Sequence, residues 1–184
     1  MGGLTMGGAA AGGRGPVRRV VPRLRGSGGL GPWRFIGVEG EARVRAGALI
    51  AQVFARKKPG ATSAEIDVEK RRVTEAPLVI GVVSFTKPHP KVPPWEQELS
   101  AGASTMNIVH AAHALGYVAN WLTGWIAFDR DGLGDLGLKP DEKLAGFVHT
   151  GKCHKPTEAR PRPAPGDTAP RLVVLLVGTR TSAP

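Results

Sequence analysis

Residues 93–125, PPWEQELSAGASTMNIVHAAHALGYVANWLTGW, constrain the chain more than any other stretch. Two prolines open the run, and proline is tolerated at a helix start because its missing N–H would have no intrahelical partner there. More than twenty proline-free residues follow. Leu99, Gly102, Ala103, Met106, Val109, Ala112, Ala114 and Leu115 recur mostly at helical spacing, and Gly116 supplies the stop. The spacing predicts one long buried helix. Residues 100–105 (SAGAST) leave it with little side-chain bulk, so it can approach a neighbour closely; packing against another helix is the plainest use of such a surface. Tyr117 to Trp125 then reads as a short extended, aromatic-rich segment closing on Thr123-Gly124.

Other elements fall on either side. Trp33 to Glu39 alternates and reads as a strand. Glu41 to Lys58 reads as a helix with Val44, Ala48, Ile50, Ala51 and Phe54 on its apolar stripe and Arg56-Lys57-Lys58 at the end where the dipole favours cations. Thr62 or Ser63 caps a second helix, Ala64 to Val73, whose mixed charges mark it as mostly solvated. Pro77 to Phe85 is a continuous apolar run, hence a central strand. Phe128 to Leu136 reads as a short polar turn or helix, and Leu144 to Thr150 as the last core strand.

Taken together, Ala76-Pro77 before an apolar strand, Lys91-Val92-Pro93, Trp95-Glu96-Gln97, Ser100, Gly102, the Ala-rich helix end Ala111 to Gly116, and the turn Trp121-Leu122-Thr123-Gly124 resemble the nitroreductase family of flavoproteins, in its short single-domain subgroup. The resemblance runs from about Gly31 to about Arg162 and fails at both ends. It implies an α+β fold of three α/β/α layers with a central mixed, mainly antiparallel sheet. It further implies flavin mononucleotide (FMN) as cofactor, NADH or NADPH as electron donor, and a nitroaromatic, quinone or similar small molecule as acceptor, in a homodimer with flavin at the interface. The family turn that contacts FMN matches Trp121, Leu122 and Thr123. The segment assigned to nicotinamide nucleotide matches Ala111, Ala112, His113, Ala114, Leu115 and Gly116. The long helix would serve as flavin platform and dimer contact. Flavin chemistry belongs to the cofactor, so no nucleophile–base pair is required and no catalytic side chain is assigned.

The resemblance implies a body over 32–154, incomplete at its N-terminal side, between a Gly/Arg-rich arm (1–31) and a Pro-rich tail (155–184). The arm shows no periodicity and little to bury, which reads as disorder or loose attachment. The family's R-R-S/T motif is missing, and Ser27 stands where its histidine should precede the Pro32-Trp33 pair. An altered reading frame would account for that, and the alternative reading is a family-shaped protein that binds no flavin or acts as a partner subunit. Arg160 and Arg162 fall where some members place phosphate-binding basic residues, or serve as a solvated linker. In the tail, Arg171 to Gly178 (RLVVLLVG) is an apolar strand-like run, which exposed would be an aggregation hazard.

The net charge is +10, yet residues 1–38 carry six arginines and no acid, and 152–184 carry six Lys/Arg against Glu158 and Asp167. The body is therefore neutral, and a nucleic-acid role rests only on basic tails without aromatic residues to stack bases. One cysteine, Cys153, permits no intrachain disulfide and fits a reducing, cytoplasmic setting. No apolar run reaches membrane-spanning length. His110, His113, Cys153 and His154 show no metal-ligand spacing, so no metal is expected.

Overall fold

The computed structural model describes residues 6–7, 29–153 and 160–168. Most of the arm, and the tail run 171–178, lie outside them. Strand β1 (Met6–Gly7) pairs with Lys152 and Cys153. Strand β2 (Trp33–Glu39) leads through Gly40 into helix α1 (Glu41–Lys57), and α2 (Ser63–Arg71) follows. Then come β3 (Leu78–Ser84), the long helix α3 (Pro94–Ala114), β4 (Val118–Leu122), a 3-10 turn (Trp125–Ala127), α4 (Arg130–Asp135), β5 (Lys143–Cys153) and a short α5 (Pro165–Thr168).

The sheet runs β2-β3-β5-β4, and every pairing among the described residues is antiparallel. The α+β expectation holds. All seven residues of β3 are buried, because both faces of this central strand are covered. Val79 and Val83 point to one layer with Ile50, Val73, Ile126, Leu133 and Phe147. Leu78, Ile80 and Val82 point to the other, with Ile108 of α3 and Val148. Helices α1 and α4 therefore cover one face and α3 the opposite one.

Local chemistry explains the element ends. Thr62 forms a capping box with Glu65: its Oγ1 accepts the Glu65 N–H at 3.3 Å, and Glu65 accepts the Thr62 N–H at 2.9 Å. Helix α3 ends in a Schellman motif, with Tyr117 N–H donating to the Ala112 carbonyl and Gly116 N–H to that of His113, both at 2.9 Å. Gly116 sits at φ +77°, which only glycine adopts without cost. The mixed-charge α2 is mostly solvated as expected, with Glu69 its one buried residue.

Helix α3 has two apolar faces. Gln97, Ala101, Ser104, Thr105, Ile108 and Ala112 are buried. Trp95, Leu99 and Met106 lie on the opposite side and are exposed at 68 %, 54 % and 43 %. Of the small residues, Ala101, Ser104 and Thr105 pack on the chain's own sheet rather than on another helix, while Ser100, Gly102 and Ala103 stay half-buried or exposed. At its head, Gln97 binds the preceding loop. Its Nε2 donates to the carbonyls of Lys87 (2.8 Å) and Val92 (3.0 Å), and its Oε1 accepts the Lys87 N–H (2.9 Å).

Candidate functional site

A bulge in β5 builds the site. Val82 pairs with Gly146 and Val83 with Leu144, so Ala145 is left unpaired with β3. The Ala145 carbonyl accepts the Trp121 indole N–H at 3.0 Å. Gly146 lies directly under that ring, where a Cβ would come within 2.1 Å of Nε1. On the other side, a Cβ on Gly102 of α3 would sit 3.9 Å from the ring. Trp121 thereby reaches from the bulge, which meets its Nε1 end, to the smooth part of α3, which meets its far end at Cη2. It is not a core residue: it remains 37 % exposed, and Leu122 beside it is 49 % exposed. Helical geometry puts Leu99 and Met106 one turn to either side of Gly102 on the same exposed stripe. Across the helix, Trp33 Nε1 donates to Ser100 Oγ at 3.4 Å and its ring lies 5.3 Å from that of Phe35.

Behind the turn sits a polar cluster. Glu69, 6 % exposed, accepts from Arg72 Nε and, at 2.7 Å, from Arg72 Nη2. The same carboxylate accepts the Trp125 indole N–H at 2.7 Å. Burial alone would push the Glu69 carboxyl up, but the hydrogen bonds from Arg72 and Trp125 outweigh it and hold it below its ordinary value. The hydrogen bond to Glu69 raises Arg72, whose Nη1 lies beside Gly124. His149 of β5 is 9 % exposed; burial, then the charge of Arg72, pushes it down to about 4, so it is neutral at pH 7. A cation therefore stands at the end of the Trp121–Gly124 turn, oriented by the Glu69 carboxylate, which the Trp125 indole anchors in turn.

The sequence-predicted residues fall into two places. Trp121, Leu122 and Thr123 form the exposed or half-buried edge just described. Ala111 to Gly116 form the far end of α3, about 14 Å from Gly102 by helix rise. Within that segment Ala112 is fully buried and Ala111 half-buried; His113, Ala114, Leu115 and Gly116 are exposed, and His113 Nε2 accepts the Ala119 N–H at 3.3 Å. The two groups lie toward opposite ends of β4, with His113 bonded near its start and Trp121 and Leu122 at its finish. Arg160 and Arg162 are exposed.

Residues 26–152 match the model of the nitroreductase family. The chain belongs to the nitroreductase family. Its body is 34 % identical over 120 residues to the Escherichia coli K12 protein named "Putative NAD(P)H nitroreductase YdjA", covering 65 % of this chain and 64 % of that protein. The chain thus spans less than two thirds of that relative's length. Among solved structures, the nitroreductase-like protein from Bacillus cereus superposes with a TM-score of 0.74 at 16 % identity, covering 97 % of this chain and 92 % of the other. The FMN-dependent nitroreductase NfnB from Mycobacterium smegmatis, solved with NADPH, gives 0.70 at 14 % identity, covering 93 % of each. At such identities these likenesses establish the nitroreductase fold. No helix among the described residues is long and apolar enough to cross a membrane.

Sequence reasoning missed Glu69, Arg72, Trp125 and His149. The one available signal was the i, i+3 spacing of Glu69 and Arg72 at a helix end.

Proposed function

We propose that the chain is an FMN-dependent oxidoreductase that takes hydride from NADH or NADPH and delivers it to a nitroaromatic, quinone or similar small acceptor. The observation that carries the reading is the turn at 121–124. Its indole is fixed between Gly146 at one end and Gly102 at the other, its surface is apolar and open, and Arg72 stands beside Gly124. A planar, largely apolar ring with one polar, electron-accepting edge fits that donor set. The family membership and the printed names of the relatives point the same way.

FMN, when bound, supplies reversible two-electron exchange of hydride. The chain's own residues bind and orient. Trp121 and Leu122 offer apolar area and exclude water. Backbone N–H groups of the turn, with the Thr123 hydroxyl, are available to the polar ring edge. Arg72 favours negative charge there, and its Glu69 and Trp125 anchors keep it from collapsing onto solvent. The exposed residues His113, Ala114, Leu115 and Gly116 remain the proposed nicotinamide contact. Arg160 and Arg162 are the proposed contribution to the cofactor phosphate, with the body expected to span 32–154 between its arm and tail.

The second apolar face of α3 supports a homodimer. A helix apolar on opposite sides needs cover on both, and only one side has it among the described residues. In a dimer through this face, the two separated site segments could be completed across subunits. Steady-state NADPH and NADH oxidation with a nitroaromatic and a quinone, run beside size-exclusion chromatography with light scattering, tests the reading. Donor oxidation dependent on both added acceptor and bound FMN, in a dimer, is the expected result; a monomer inert toward both donors in the presence of FMN contradicts it.

A further inference from the structure

The Arg72 guanidinium divides its donors. Nε and Nη2 both go to the Glu69 carboxylate, the second at 2.7 Å. Nη1 is left toward Gly124, where a Cβ would come within 2.8 Å of it. Glycine at 124, with φ at +68°, is what lets the cation approach the turn so closely. Glu69 is the one buried residue of α2. Its Oε2 is shared between Arg72 Nε and the Trp125 indole N–H, and its Oε1 takes Arg72 Nη2. Burial works against its charge, yet the bonds from Arg72 and Trp125 prevail and keep it ionised at pH 7. His149 beside Arg72 is neutral at that pH and adds no charge.

Orienting a guanidinium does not require a buried acid. Elsewhere in this chain neutral carbonyls do it: those of Thr74 and Ala76 hold Arg43, and those of Lys139 and Glu142 hold Arg130. Burying a carboxylate carries a desolvation cost that a carbonyl avoids. What the carboxylate adds is its negative charge, in contact with the cation at the turn.

We propose that Glu69 sets the reduction potential of the bound flavin: its charge offsets that of Arg72 and holds the cofactor at a lower potential than the bare cation would. The inference rests on the reading of the chain as an FMN-dependent oxidoreductase. A hydride brings two electrons and one proton to the ring, so the reduced ring is one unit more negative than the oxidised one. A lone cation beside the polar ring edge favours the reduced form. It would ease hydride uptake from NADH or NADPH and hinder its delivery to the acceptor. A carboxylate in contact with that cation turns a point charge into a dipole, whose field at the ring is much weaker. Glu69 is thus a positioning residue that leaves the Arg72 N–H group in place for the ring edge while cancelling most of its charge.

Anaerobic titration of the FMN-loaded full chain against a reference dye reads the potential. Glu69→Gln keeps the shape and removes the charge, so it should shift the reduction equilibrium toward the reduced form about ten-fold, about 30 mV upward for a two-electron couple. Glu69→Asp keeps the charge and shortens the side chain; it should melt lower yet stay within about two-fold of the wild-type equilibrium. Trp125→Phe leaves the ion pair and removes the donor that shares the carboxylate, so it should move the potential downward, and it decides the matter if Glu69→Gln does not fold. FMN bound at one per chain with an unmoved potential in Glu69→Gln, an equal shift in Glu69→Asp, or an upward shift in Trp125→Phe would each overturn this inference alone. A wild-type chain that takes up no FMN would overturn it together with the oxidoreductase reading.

Discussion

The Trp121 indole rests on Gly146, its N–H bound to the carbonyl of the bulged residue Ala145 at 3.0 Å. A methyl group at 146 cannot coexist with the ring, and Gly146 also holds φ at +153°. Gly146→Ala is therefore expected to expel the indole, lower stability by about 1–3 kcal/mol and weaken FMN binding. Trp121→Phe keeps an aromatic ring but loses the hydrogen bond and the contacts of the larger indole, so it should cost about 1–3 kcal/mol and retain more cofactor. Thermal melts with flavin content per chain compare the two; equal cofactor retention would refute the packing argument.

Gln97 is 1 % exposed and satisfies three backbone groups of the loop at 87–92. Gln97→Leu preserves bulk and strands those groups, with an expected loss of about 1–3 kcal/mol in urea unfolding. A near-neutral result would show that water replaces the side chain.

Stability should fall with acid in two windows. His149 is depressed to about 4, so the unfolded chain binds its proton first and stability is lost as pH falls from about 6.5 toward 4. Glu142 is held at about 2 by its hydrogen bonds from Arg34, at 2.7 and 2.6 Å, and from the Lys139 N–H. Its contribution is complete above the ordinary carboxylate range and is lost as pH falls toward 2. His149→Gln should flatten the upper window and Glu142→Gln the lower one, in melting temperature measured against pH. Identical profiles for the two variants would contradict the assignment.

Arg72 is the cation beside the Trp121–Gly124 turn. Arg72→Gln should weaken FMN binding on the order of ten-fold through loss of a charge-assisted contact. It also strands the Glu69 carboxylate, so the double variant Glu69→Gln/Arg72→Gln separates folding from binding: it should recover stability without recovering affinity. Full affinity in the double variant would remove Arg72 from the site.

Much of this architecture was legible because it is local. The apolar alternation of Trp33–Glu39, the capping box at Thr62 and Glu65, the proline entry to α3 and its Gly116 stop each depend on a few adjacent residues. The Trp121–Thr123 turn was legible through its family pattern alone. The pose of Trp121 was not, because it depends on a bulge at Ala145, where LAGFVHT reads as an ordinary strand. The Glu69–Arg72–Trp125–His149 cluster draws on α2, the 3-10 turn and β5, brought together only by the fold. The small residues of α3 were open to several uses, and the sheet they meet became visible only with the layers assembled.

The visible absorption spectrum of the purified full chain, with the released cofactor identified, tests the central claim most directly. The account predicts flavin bands at close to one FMN per chain, bleached by NADH or NADPH without oxygen. A folded, colourless protein that takes up no FMN on reconstitution would contradict it.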